Sequence, residues 1–162
     1  MENEKSDLKD LKEKYKAFQE KYFLPDFEEL NREFSIEKIA ETETDFLLRE
    51  IIKLMGEKIS NYMHFVEAVL NPVNSPLFIF SIIKTLGEEE KRRFNEIYKE
   101  LAKMQVQLIE LDVDFSVENG ADFINEVTGK WKKLKENFIE IIKKIKSNWD
   151  SKSESNSKAY FG

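Results

Sequence analysis

The sequence predicts an all-α helical bundle with three long helices, about three shorter ones and a flexible C-terminal tail. Three observations carry this reading. Only 5 glycines and 3 prolines occur in 162 residues, too few for the closely spaced turns of a sandwich or barrel. Apolar residues recur at steps of three and four through most of the chain, which is the spacing of one helix face. Hydrophobic residues make up 41% and phenylalanine alone contributes 13 positions, enough apolar surface to build a core and too much for a disordered chain. The length favours a single domain, residues 1–150, followed by a polar tail, residues 151–162.

The first helix, residues 7–22, carries Leu8, Leu11, Tyr15, Phe18 and Tyr22 in a narrow heptad-like stripe, with Ser6 or Asp7 as its cap. Leu24-Pro25 ends it, because the residue before a proline avoids the α region. A short helix over 26–34 follows, with Phe27, Leu30 and Phe34 on one side and Asp26, Glu28 and Glu29 at its positive end. Ser35 to Thr44 is a connector with one turn of helix carrying Ile36 and Ile39. Thr44 reads as the cap of a long helix over 45–70, whose stripe includes Phe46, Leu47, Ile51, Met55, Ile59, Val66 and Leu70. Asn71-Pro72 and Ser75-Pro76 stop it. The apolar run Leu77 to Leu86 fits a buried strand or a buried helix by periodicity, and a lone strand would have no partner here, so residues 77–85 are assigned to helix. After Gly87, residues 88–112 form the second long helix, with Phe94, Ile97, Tyr98, Leu101, Met104, Leu108 and Leu111 inward. A loop ends at Asn119-Gly120, a turn dipeptide. The third long helix spans 121–149, with Phe123, Val127, Trp131, Leu134, Phe138, Ile141, Ile145 and Trp149 in one stripe. Gly129 inside it marks either a close helix approach or a local weakness.

Most catalytic chemistry lacks its residues. There is no cysteine and one histidine, so thiolate sites are excluded and any His-centred site must use His64. A di-iron bundle needs Glu-x-x-His twice, and Asn61 stands three residues before His64. Glu67 lies one turn away, yet a boundary histidine is the ordinary reading. Asp112, Asp114 and Ser116 imitate the opening of a calcium loop, but Val117 occupies the position that requires glycine and Phe123 the one that requires glutamate. No glycine-rich phosphate loop occurs. No catalytic residue, metal or cofactor is therefore expected.

Binding surfaces are better supported. Between Asp26 and Glu50 nine acids face three bases, whereas Lys130, Lys132, Lys133, Lys135, Lys143, Lys144 and Lys146 on the last helix oppose only Glu136 and Glu140. Such a row could track a phosphate backbone, with Trp131 and Trp149 stacking on bases. However, both tryptophans fit the inner stripe and the net charge is -6. The first reading is thus a non-enzymatic protein–protein interaction or scaffold protein. A nucleic-acid-binding helical module using Lys130, Lys132, Lys133, Lys143, Lys144 and Lys146 is the alternative. The tail ends in Tyr160-Phe161, an aromatic pair on a polar spacer that suits docking on a partner or a second copy. The narrow stripe of the first helix makes a similar offer.

The stretch from Phe34-Ser-Ile-Glu-Lys-Ile-Ala-Glu to Thr-Asp-Phe-Leu-Leu-Arg-Glu-Ile51, followed by the Asn71-Pro72 stop, resembles the equivalent part of small uncharacterised all-helical archaeal proteins. The resemblance covers about a quarter of the chain. It implies the helical fold and no particular activity. No run approaches the length of about 18 apolar residues that a spanning helix needs. The opening MENEKSDLKD has no apolar stretch behind a basic one, so a cytoplasmic location and no membrane contact are expected.

Overall fold

A computed structural model describes residues 2–42 and 44–159, with side chains described for residues 7–42 and 44–151. The described residues form six α-helices and one 3-10 helix, with no strand among them. These are α1 (Glu2–Tyr22), α2 (Phe27–Phe34), the 3-10 helix Ile36–Glu41, α3 (Leu47–Leu70), α4 (Leu77–Ile83), α5 (Glu88–Val113) and α6 (Val117–Ala159). The all-α class and the helical assignment of the apolar run after Pro76 both hold. Two compact units divide the chain, Met1–Ser60 with Lys103–Trp131 and Asn61–Ala102 with Lys132–Gly162.

In the first unit α1 packs on α2 and on the 3-10 helix. Its stripe turns inward: Leu11 and Tyr15 are buried, and the Tyr15 ring meets Phe27 edge-on with centroids 5.5 Å apart. The Tyr15 hydroxyl donates to the Pro25 carbonyl at 2.6 Å. Burial, with Asp26 and Glu29 nearby, raises its pKa far above the ordinary phenol value. Asp26 caps α2 by accepting from the Glu28 N–H at 3.1 Å. Asn31 and Glu37 then exchange two hydrogen bonds, of 2.8 and 2.9 Å, that fix the 3-10 helix against α2. Trp131 closes the unit. Its ring lies 5.2 Å from that of Phe34, its indole N–H donates to the Glu33 carboxylate at 3.2 Å, and the Lys58 ammonium stands 5.5 Å from its ring centroid.

In the second unit four rings, Tyr62, Phe65, Phe94 and Phe138, form one cluster with centroid separations of 5.2 to 6.2 Å. Ile79 and Ile82 of α4 are buried. Glu90, three residues into α5, accepts from the Gly87 N–H at 2.8 Å and from the Lys144 ammonium, which caps α5 and ties it to α6. Asn148 adds a bond to the Thr85 carbonyl at 2.9 Å.

Several boundaries differ from the sequence reading, each for a local reason. Thr44 accepts from the Phe46 N–H at 3.0 Å but stands before the helix, which begins at Leu47, so Phe46 falls off the inner stripe and is exposed. Asn119-Gly120 is not a turn: Ser116 caps α6 by accepting from the Asn119 N–H at 3.1 Å, and the dipeptide is helical. Gly120 is needed for space instead, since a Cβ there would lie 3.0 Å from the Phe115 ring and 3.1 Å from Ile52. A Cβ at Gly129 would meet nothing within 4 Å, so no close helix approach explains it. Beyond Trp149 the helix continues to Ala159. No proline or glycine stands between Lys130 and Phe161 to stop it.

Candidate interaction surfaces

Helix α5 is apolar on two sides. Leu101, Met104 and Leu111 are buried, as the sequence pattern requires. On the opposite face Val106, Ile109 and Val113, spaced three and four apart, are 64%, 57% and 82% exposed. An amphipathic helix that packs one face needs no second stripe. Glu110 and Asp114, both exposed, stand on one flank of it. They belong to a longer acidic segment, because Met104 to Gly129 contains six acids and no lysine or arginine. The last turn of α5 also has no basic residue, so these carboxylates sit unrelieved at the negative end of the helix dipole.

Helix α6 repeats the arrangement with the opposite charge. Its buried positions include Leu134, Ile141 and Ile145. A second series, Lys132, Lys135, Ile139, Ile142, Lys146 and Trp149, follows steps of three and four without a break. Within it Ile139, Ile142 and Trp149 are 43%, 38% and 41% exposed. Lys143 lies beside Ile139 and Ile142 on the same exposed side.

The inner stripes follow from the sequence pattern, whereas both outer ones emerge only from the fold. The signal was present as a second three-four series on each helix, hidden because the inner series already accounted for helix formation. Trp149 is corrected by this geometry, since it belongs to the exposed series rather than to the core. Trp131 is corrected in the other respect: at 1% exposure it offers no face for a base to stack on.

The lysine row does not act as one surface. At 100° per residue Lys132, Lys143 and Lys146 fall within about 60° of each other, while Lys133 and Lys144 point elsewhere. Lys144 is engaged by Glu90 and Lys130 by Glu126 at 2.5 Å. Tyr160 and Phe161 lie outside the described residues.

A third apolar exposure surrounds α4, where Val73, Leu77, Phe78 and Phe80 are all exposed. Helices α3 and α5 also border a cleft of about 350 Å³ whose lining includes Arg49, Lys53, Ser60, Gln105 and Asp112. Ser60 and Gln105 satisfy each other across it at 3.0 Å. A more polar cleft of about 640 Å³ beside α1 is bordered by Asp7, Asp10, Lys14, Glu41 and Asp45. Among the described residues no buried side-chain polar atom lacks a partner, and no group of three or more acids or histidines is placed to hold a metal ion. His64 is exposed, and its neighbour Glu67 accepts from the Tyr98 hydroxyl at 3.4 Å. No helix among the described residues is long and apolar enough to cross a membrane.

No family model, curated protein or solved structure matches the chain.

Proposed function

We infer that the protein is a non-enzymatic interaction or scaffold protein whose working surfaces are the outer faces of α5 and α6. One observation carries this reading: each helix bears a second apolar stripe at heptad spacing, opposite or beside its buried one and open to solvent. Apolar surface removed from water is worth about 25 cal/mol per Å², so each stripe is a source of association free energy that folding leaves unused. Contiguous apolar exposure of this kind marks contact with another protein more often than chance exposure of single residues does. Heptad spacing further specifies the form of contact, a helix laid along a helix.

The nucleic-acid alternative loses support at two points. Of its two stacking residues Trp131 is buried and only Trp149 is exposed, and Ile139 and Ile142 occupy the basic face where phosphates would run.

Site-specific photo-crosslinking in cells tests the interaction reading. A photoreactive residue at position 109 or 142 should give a discrete protein adduct that disappears when the group is moved to Asn95, an exposed position on α5. Adducts of equal yield and identity from all three positions would contradict it. Tight nucleic-acid binding that weakens steeply with salt, and is lost on replacing Lys132, Lys143 and Lys146, would establish the alternative instead.

A further inference from the structure

We propose that the outer stripe of α6 binds the outer stripe of α5 on a second copy of this chain. This rests on the interaction reading above and names its partner.

Charge complementarity selects the occupant. The α6 stripe is Ile139, Ile142 and Trp149 set among Lys132, Lys143 and Lys146, which have no ion-pair partner among the described residues. Its partner must therefore present apolar side chains flanked by carboxylates on a helix. The α5 stripe of this chain is such a surface: Val106, Ile109 and Val113, with Glu110 and Asp114 beside them and no base from Met104 to Gly129. The two apolar series are of similar length, about 15 Å from Ile139 to Trp149 and about 11 Å from Val106 to Val113 at 1.5 Å per residue. Each also relieves a local cost of the other. Lysines brought to the end of α5 would oppose the negative dipole end that Glu110 and Asp114 now burden.

Lys146 sits inside the apolar series at a position where a hydrophobic residue would pack. Buried against another α6 it would meet a like charge, whereas against α5 it meets acids. A single cationic position within a heptad seam discriminates between partners in this way, at some cost in affinity. Pairing of like stripes is disfavoured on both sides, α5 on α5 by its carboxylates and α6 on α6 by its lysines.

The test is a charge exchange between two exposed sites. One variant carries Lys143→Glu and Lys146→Glu; the other carries Glu110→Lys and Asp114→Lys. Sedimentation and light scattering as functions of concentration should show the unmodified chain self-associating, and each variant alone weakened roughly tenfold or more, because its two stripes now carry the same sign. Mixing the two variants should restore association, since each stripe again meets its opposite. Circular dichroism of each variant is the folding control, and the restored mixture itself shows that both remain folded. Unmodified protein that stays monomeric at every concentration overturns the self-pairing while leaving the crosslinking test of the interaction reading standing. Association that persists in both single-site variants overturns it too, placing the contact on another surface such as that of α4. Weakening in each variant without restoration on mixing overturns the assigned pairing of stripes.

Discussion

The indole N–H of Trp131 donates to the carboxylate of Glu33 at 3.2 Å, joining positions 98 residues apart. The bond places the end of α2 on α6 and satisfies the indole N–H of Trp131, which is buried, whereas Trp149 on the same helix is exposed. Trp131→Phe should destabilise the protein by about 1 to 3 kcal/mol, the usual cost of removing a hydrogen bond to a charged group. Trp131→Ala should cost about 3 to 5 kcal/mol, because it also opens a cavity beside Phe34. Urea unfolding of the three proteins checks the order. In a Trp149→Phe protein, whose only tryptophan is Trp131, the fluorescence should likewise be unchanged by single-stranded nucleic acid.

Two glycines of α6 should respond in opposite directions to the same substitution. Gly129→Ala meets nothing within 4 Å and should stabilise by about 1 kcal/mol through helix propensity. Gly120→Ala brings a methyl group to 3.0 Å from Phe115, whose ring is held by the Arg49 guanidinium 4.3 Å away, and should lower the unfolding midpoint. Thermal melts of the pair decide it.

Phe23 occupies left-handed backbone, φ 54°, at the end of α1, while the Leu24 N–H returns to the Gln19 carbonyl at 3.2 Å. A glycine normally takes this position, and the Phe23 ring is 87% exposed, so little packing opposes the change. Phe23→Gly should raise stability by about 1 kcal/mol. Denaturant unfolding is the check.

Glu90 should shape the acid limb of stability. The Lys144 ammonium lowers its pKa below the ordinary glutamate value, with the Gly87 N–H assisting against the opposing effect of burial. A depressed carboxylate stabilises the fold above its unfolded pKa, and that contribution is lost as the pH falls through the folded value. Glu90→Gln should therefore lower the unfolding midpoint near neutrality and flatten its fall below the glutamate range. Melting temperatures taken from neutral pH downward would show both effects.

These residues also mark how far the sequence could be read. Inner stripes such as Phe94, Ile97 and Leu101 follow one periodicity and were legible, as was the double-proline stop after Leu70. The Trp131 to Glu33 bond was not, because it depends on packing between distant segments rather than on local spacing. Asn119-Gly120 misled for a related reason: turn propensity is a local preference, and the cap at Ser116 together with burial of Gly120 against Ile52 outweighs it. Exposure of Val106 or Ile142 cannot be inferred from a helix that already has a core face. The acidic and basic flanks were partly visible as charge runs, but only the fold shows which charges adjoin apolar side chains on the same exposed face.

Because the chain has no cysteine, single thiols can report the proposed pairing directly. Ile109→Cys and Ile142→Cys proteins, mixed and gently oxidised, should form a disulfide between positions 109 and 142 in clear excess over 109–109 and 142–142 products, since only facing positions reach bonding distance. Mass spectrometry of the crosslinked peptides gives the three yields. Predominance of the mixed product is the outcome the pairing of α6 with α5 requires; yields in the statistical proportions of random collision, or an excess of either symmetric product, would contradict it.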